Sequence, residues 1–447
     1  MTTKFDAIVI GAGNAGQAGA GVLRAAGKRV MIVESRDVGG TCPLRGCVPK
    51  KVLVAAAESL DVIARAKGQA IEVGPARLDW GKLVAQKDSI LAGTSESMEN
   101  DLVSRGIDVV HGAARFVADD AIDVGGVRYE ADQFLVATGS RPRTLEITGA
   151  DLAETSDDLL DWRERPARVV FIGGGVIAFE FAHVLARAGT KVTILEVAPR
   201  PLGAMDAELV EHAVAATRDV GIELHVDVKI EAIERAGDVL RVRYRDGEAT
   251  HTIVADKVVN GAGRIANVDG LDVAAAGIEI ERGAVKIGAP FRSSSRSHVY
   301  VAGDAIAGTP QLSPVATYEG RLAGRAMLGE SVEGEYACIP SCVFTIPTAA
   351  WVGATEASLV QRGVKFRATR NDQTSWRSGR SYAEKHAWAK VLIGEDDTIL
   401  GAHLFGHGAG EVINLFALAM RTGTKAKVLK EIVWAYPTYS SDTKFLV

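Results

Sequence analysis

The segment Asp6-Ala7-Ile8-Val9-Ile10-Gly11-Ala12-Gly13-Asn14-Ala15-Gly16 joins an apolar, strand-like run to a small-residue helix through a Gly-x-Gly-x-x-Gly turn, and Glu34 closes the next strand-like run. Glycines let a backbone approach a pyrophosphate, the helix N-terminus supplies positive potential, and the acid accepts a hydrogen bond from a ribose hydroxyl. A merely tight turn is the alternative, but the strand-turn-helix context and the spacing to Glu34 favour a dinucleotide site. The design recurs in Val169-Val170-Phe171-Ile172-Gly173-Gly174-Gly175-Val176-Ile177-Ala178-Phe179-Glu180, with Glu196 ending the following strand. An acid there accepts from a 2′-hydroxyl and repels a 2′-phosphate, which predicts NADH over NADPH. Against this stand a plain surface glutamate and the nearby Arg200. Two such units, about one domain length apart, predict an α/β fold with two nucleotide-binding domains.

Working outward, helical patterns are expected over 52–66 and, as one polar amphipathic helix, over 79–105, with short strands ending at 133–138. Beyond the second turn, 206–220 reads as helix and 223–259 alternates as β-strands do. Residues 299–329 return to a strand, a Gly-Asp turn and a helix. From Ile339 onward come strands such as 387–393 and two helices, 410–421 and 426–434, with no nucleotide fingerprint, so this stretch reads as a separate module.

The 447 residues call for two to four domains, and 47% apolar with 24% charged residues is the mix of a globular enzyme. A net charge of -5 gives no field to attract nucleic acid or an anionic membrane. The first strand begins almost at the start, leaving no room for a targeting segment, and no apolar run approaches membrane-spanning length, so a cytoplasmic protein is expected. Four cysteines, Cys42, Cys47, Cys338 and Cys342, are too few for a disulfide scaffold; in a reducing compartment a bridge here is suspected of being catalytic.

Two of them lie in Gly39-Gly40-Thr41-Cys42-Pro43-Leu44-Arg45-Gly46-Cys47-Val48-Pro49-Lys50-Lys51, leading into the helical run. Residues five apart in a regular helix rise by roughly 7.5 Å, more than the roughly 7 Å limit for bridged Cα atoms. A bridge therefore needs distorted backbone, which Pro43 and Gly46 can supply. The helix N-terminus and the lysines would stabilise a thiolate. Two inert core thiols are a poor alternative beside charges and prolines.

This segment resembles the redox-active motif of the pyridine nucleotide-disulfide oxidoreductases: glutathione reductase, dihydrolipoamide dehydrogenase and mercuric reductase. The resemblance extends to Phe134-Leu135-Val136-Ala137-Thr138-Gly139-Ser140-Arg141-Pro142, to Gly261-Ala262-Gly263-Arg264, to Val301-Ala302-Gly303-Asp304 and to the run from Ile339-Pro340 through Val352-Gly353. It implies an α/β protein with two Rossmann-like domains, for FAD and NAD, and a C-terminal α+β dimerisation domain. The parts would be 1–145 for FAD with the redox disulfide, 146–264 for NAD(P)H, 265–335 for the second FAD part and 336–447 for the homodimer interface. Cys47 would face the flavin and Cys42 meet the substrate, with Lys51 and Glu180 pairing near the flavin. FAD would be held by Gly11, Gly13, Gly16, Glu34, Thr41, Lys51, Ala114, Thr138, Gly139, Gly303 and Asp304, and NAD by Gly173, Gly175, Glu196 and Gly263. Val176 stands where glutathione reductases carry a tyrosine gate.

Departures are equally specific. Disulfide-reducing members end in His-Pro with a glutamate a few residues on, a pair that serves the opposite subunit; this chain has Tyr436-Pro437 and Ser441, with Asp442 displaced by one position. A phenol, with a reference pKa of about 10, donates a proton but is a poor base. Gly21 stands where glutathione reductases place an arginine for the substrate carboxylate, so glutathione disulfide is not the expected substrate. The expected function is an NADH-preferring FAD enzyme reducing a small disulfide or thiophilic acceptor through Cys42 and Cys47, with Tyr436 in the shared site. Alternatives are soft-metal reduction of the mercuric-reductase kind, a diaphorase acting on quinones, and a catalytically weak redox-sensing subunit. Neither the C-terminal cysteine pair nor the N-terminal metal-carrier domain of mercuric reductases is expected here, so a dedicated mercury enzyme is not the leading expectation. Cys338 and Cys342 are expected on one strand as core residues, and His403 and His407 as structural rather than metal-binding.

Overall fold

Ile8, Val9 and Ile10 are at most 4% exposed, because their strand has a parallel neighbour on each side and layers of structure over both faces, the setting in which strands read as continuous apolar runs. In the computed structural model, which describes residues 3–447, this strand (β1, Thr3–Ile10) is followed by α1 (Asn14–Ala25), β2 (Val30–Glu34), α2 (Thr41–Arg45) and α3 (Cys47–Arg65). The chain divides into two units, each built of three segments.

The first unit takes the described residues up to 51, then 86–143 and 263–334. Its sheet runs in the parallel order Val299–Val301, Val127–Val136, β1, β2, Asp108–His111, and Ile10 pairs with both Val136 and Val33. The hairpin Ala114–Ala118 and Ala121–Val124 adds antiparallel to Val127–Val136. On one face α1 packs against the helix Ser313–Met327 so closely that a Cβ on Gly320 would come within 2.1 Å of the Ala15 carbonyl oxygen. The chain leaves this unit after Arg143, and the Arg143 amide donates to the Gly263 carbonyl at 3.0 Å where it returns.

The second unit takes 52–85, 144–262 and 335–447. A four-stranded parallel sheet, Glu223–His225, Lys191–Leu195, Arg168–Ile172, Lys257–Asn260, is joined by a three-stranded antiparallel sheet over 228–255. A five-stranded antiparallel sheet follows in the order Ser341–Val343, Thr348–Gly353, Ile399–Gly406, Trp388–Gly394, Phe366–Asp372. Leu53, Trp80, Phe171, Phe179, Val343 and Phe405 share one core cluster here. Lys390, 1% exposed, is held by Asp206 at 2.6 Å and by Glu208 and Glu356 at 2.9 Å each.

Three expectations need correction. The helix expected over 79–105 is two, Trp80–Leu91 and Thr94–Ser104, because Gly93 adopts φ +73° and ends the first. The helix expected over 426–434 stops at Glu431, where the β-branched Ile432 turns extended. Cys338 is not on the strand that carries Cys342, since Ser341–Val343 starts only after Pro340, which has no amide to give the ladder. Among the described residues no helix is long and apolar enough to cross a membrane.

Candidate active site

In the first unit the chain turns off β1 at Gly11, whose φ is +107° and whose Cβ, if present, would lie 2.3 Å from the Ala137 carbonyl oxygen. Only glycine fits such an approach in that conformation. Gly16 is packed against the Gly11 carbonyl, and Gly13, at the N-cap of α1, faces Gly40. Glu34 sits on the turn: its carboxylate accepts from the Ala12 amide at 2.8 Å and the Arg36 amide at 2.9 Å. The Thr138 hydroxyl is buried without a partner among the described residues, and Gly139 beside it has φ +70°. Asp304 accepts from Ser140 Oγ at 2.9 Å, and its burial pushes its carboxyl above the usual range. The Gly303 amide donates to Glu319 at 2.9 Å. Ala114 is buried at the start of its hairpin, Thr41 is exposed at the start of α2, and Gly263, φ +101°, opens the returning segment.

Cys42 lies in α2 and Cys47 begins α3; Gly46, with φ -141° and ψ -112°, breaks the helix between them. The backbone distortion that the five-residue spacing demands is therefore present at Gly46. The two residues are thiols, and they are hydrogen-bonded to each other. That bond, with others from Ser313 and Asn14 and the charge of Lys50, brings the Cys42 thiol down to about 6 in spite of its partial burial. Asn14 Nδ2 also donates to Ser313 Oγ, fixing the two groups against one another. Neither Asn14 nor Ser313 was singled out from the sequence. The only signal was position: each opens a helix, yet 299 residues separate them.

Beside Asn14, the outer faces of α1 and Ser313–Met327 line an open recess of about 440 Å³ with Gln17, Gly21, Thr317, Arg321 and Arg105. Arg105 follows the helix Thr94–Ser104 and reaches α1, where its Nη2 would stand 2.3 Å from a Cβ on Gly21. An arginine does therefore cover this part of the first helix, supplied by another element.

The second unit repeats the turn. Gly173 has φ +98°, and a Cβ there would be 2.6 Å from the Gly261 carbonyl oxygen. Glu196 accepts from the Gly174 amide at 2.5 Å and the Ala198 amide at 2.7 Å. Gly175 caps the helix Val176–Arg187, and Val176 is 40% exposed at its start. Arg200 donates to the Gly203 carbonyl at 3.0 Å. Glu180 is buried, accepting from the Phe344 amide at 2.9 Å. Lys51 is exposed and belongs to the first unit.

At the C-terminus Tyr436 is 56% exposed and its hydroxyl accepts from Arg377 Nη1 at 3.0 Å. Ser441 is consumed in a capping box with Thr438 at the start of the helix Tyr439–Leu446. Asp442 is turned inward, accepting from Ser378 Oγ, with burial raising its carboxyl. Cys338 and Cys342 are both half-buried, and burial raises the Cys338 thiol. His403 is fully buried on its strand with Nε2 at 3.0 Å from the Ala354 carbonyl oxygen, and His407 lies 3.5 Å from Asp61.

Known proteins share this arrangement across nearly the whole chain. The model of the pyridine nucleotide-disulphide oxidoreductase family matches residues 5–320 and that of its dimerisation domain residues 339–445. A glutathione reductase of Burkholderia cepacia is 31% identical over 98% of this chain and 97% of its own. A mercuric reductase of Lysinibacillus sphaericus is 29% identical over 99% of this chain and 82% of its own. The HOCl-induced flavoprotein disulfide reductase RclA from Escherichia coli has the same fold, with a TM-score of 0.88 at 24% identity and 99% of each chain covered. With both nucleotide turns and the cysteine pair inside one family match, and the C-terminal sheet inside the other, the chain belongs to the pyridine nucleotide-disulphide oxidoreductases, flavin-dependent enzymes that use FAD and NAD(P)H.

Proposed function

We propose that the chain is an NADH-preferring homodimeric reductase that passes electrons through Cys42 and Cys47 to a small disulfide or similarly thiophilic acceptor, each site receiving Tyr436 from the other copy. The observation that carries this is the Cys42 thiol, brought down to about 6 by Cys47, Ser313, Asn14 and Lys50. A thiol so placed is a nucleophile at neutral pH, which inert core cysteines are not.

The first unit fits FAD. Its buried, partnerless Thr138 hydroxyl and the Glu34 carboxylate at the glycine turn are groups that a flavin dinucleotide's hydroxyls and phosphates would satisfy. Gly11, Gly13, Gly16, Thr41, Ala114, Gly139, Gly303 and Asp304 would complete the cradle. When bound, FAD would supply the two-electron link between nicotinamide and the cysteine pair. Under this function Lys51 would favour the electron-rich reduced flavin and Glu180 would be the acid that balances its charge. Gly173, Gly175 and Gly263 would admit the coenzyme, and Glu196 would choose NADH by accepting from its 2′-hydroxyl.

The test is anaerobic. Cys42→Ser in the FAD-loaded protein should abolish NADH-dependent disulfide reduction while NADH still bleaches the flavin; retained disulfide turnover overturns the proposal. A second function, reduction of a soft metal ion, draws support from the exposed Tyr436 and from the paired thiols Cys42 and Cys47, since thiolates are soft ligands. It requires Hg²⁺ to stimulate NADH oxidation in a manner lost in Tyr436→Phe.

A further inference from the structure

Three consecutive residues of the second unit grip the C-terminal segment. Trp376 packs edge-on against Phe445 with ring centroids 5.8 Å apart, Arg377 donates to the Tyr436 hydroxyl at 3.0 Å, and Ser378 donates to Asp442. Trp376 and Ser378 serve the packing of the helix Tyr439–Leu446. Arg377 does something else, because its target is a largely exposed phenol that packing does not require.

The charged groups that touch that phenol are cations. Arg377 has no carboxylate partner among the described residues, and Lys444 Nζ lies 5.8 Å from the centre of the Tyr436 ring. The nearby Asp442 is turned away onto Ser378, and Ser441 is spent on its cap. Asp442 feels the charge of Lys444 but its carboxylate is engaged by Ser378, so neither the cations nor this acid is placed to take a proton from a dithiol, whereas the two cations do stabilise an anion. Moreover, a hydroxyl whose oxygen accepts from a guanidinium has its own proton left to donate.

We propose that Arg377 is a positioning residue of the acceptor site: it fixes the Tyr436 hydroxyl as a proton donor to the thiolate leaving an aliphatic disulfide and holds the phenolate that results. The inference rests on the disulfide-reductase function proposed above. In the step it describes, the Cys42 thiolate attacks one sulfur of R–S–S–R′ and forms the Cys42–S–S–R mixed disulfide. The S–S bond of the acceptor breaks, and R′–S⁻ takes the phenolic proton to leave as R′–SH. Cys47 then attacks Cys42, its thiol proton passing to the departing sulfur, which restores the internal disulfide and releases R–SH. The dithiol is oxidised by two electrons, the acceptor is reduced by two, and Tyr436 regains a proton from water. The pair thus favours reducing disulfides over oxidising dithiols, for which a base is needed.

The experiment compares two acceptors on the FAD-loaded enzyme: an aliphatic disulfide such as cystamine, and 5,5′-dithiobis(2-nitrobenzoate), whose aromatic thiolate is a good leaving group unaided. Arg377→Ala should lower kcat on cystamine by about tenfold or more relative to its effect on the aromatic disulfide, as loss of a positioned general acid does. Tyr436→Phe should show the same split, the double variant should be no worse than the more damaged single one, and Arg377→Lys should recover part of the loss. Equal losses on both acceptors, or none on either, overturn the proposal while leaving the dithiol relay intact. Failure of the wild-type enzyme to reduce either acceptor removes the relay, and this inference with it.

Discussion

The guanidinium of Arg105 lies on Gly21, close enough that a Cβ there would meet Nη2 at 2.3 Å. Asp101 holds Nη1 at 3.1 Å, and Arg24 Nε reaches the Arg105 carbonyl oxygen at 3.0 Å, so the arginine is fixed along α1. With Arg321 it gives the recess next to Asn14 a cationic end and no carboxylate in its lining. Arg105→Ala should raise KM for an anionic disulfide by about fivefold, the scale of roughly 1 kcal/mol for an exposed charge contact. A neutral disulfide should be unaffected, and the difference should shrink in high salt. Steady-state kinetics with the two substrates measures it.

Alkylation of the reduced protein, with the modified peptide identified by mass, should follow a Cys42 titration centred near 6. Cys47→Ala should move that midpoint up the most, because the Cys47 hydrogen bond is the largest cause of the lowering; Ser313→Ala and Asn14→Ala should move it up by less. A midpoint in the ordinary thiol range for the unmodified protein would contradict the hydrogen-bonded geometry.

Glu196 spends its carboxylate on the Gly174 and Ala198 amides, leaving its remaining lone pairs for a ribose hydroxyl. Glu196→Ala should lower kcat/KM for NADH and lower the NADH-to-NADPH ratio of kcat/KM by about tenfold, about 1.4 kcal/mol of discrimination. Initial rates with both coenzymes decide the point; an unchanged ratio would assign Glu196 to the turn alone.

Lys390 has three acids around it in the second unit. Lys390→Met should destabilise by about 3 kcal/mol, because it strands the buried carboxylate of Asp206. Glu208 is held down to about 2, chiefly by Arg370 and then by Lys390, against an ordinary value of 4.5. Its contribution is therefore complete above about 4.5 and fades as pH falls toward 2, since the unfolded chain takes up the proton first. Urea midpoints from pH 7 down to pH 2.5 should show this loss in the wild type and less of it in Lys390→Met.

Local sequence decided much of this. Gly11, Gly173, Glu34 and Glu196 were legible because a strand-turn-helix with a tight backbone approach needs those residue types at fixed offsets, whatever the rest of the chain does. A bridge between Cys42 and Cys47 would need distorted backbone that Pro43 or Gly46 could supply, and the break lies at Gly46, whereas Gly93 went unread within a pattern that is helical on both sides. What the sequence did not disclose are the partnerships between distant segments: Asn14 with Ser313 at the thiol, Arg105 on Gly21, Arg377 under Tyr436, Asp442 turned onto Ser378. A backbone conformation is a property of neighbours along the chain. The charge around a thiol or a phenol depends on which remote side chains the packing brings within a few ångströms, and that is settled only when the sheets and helices close on one another.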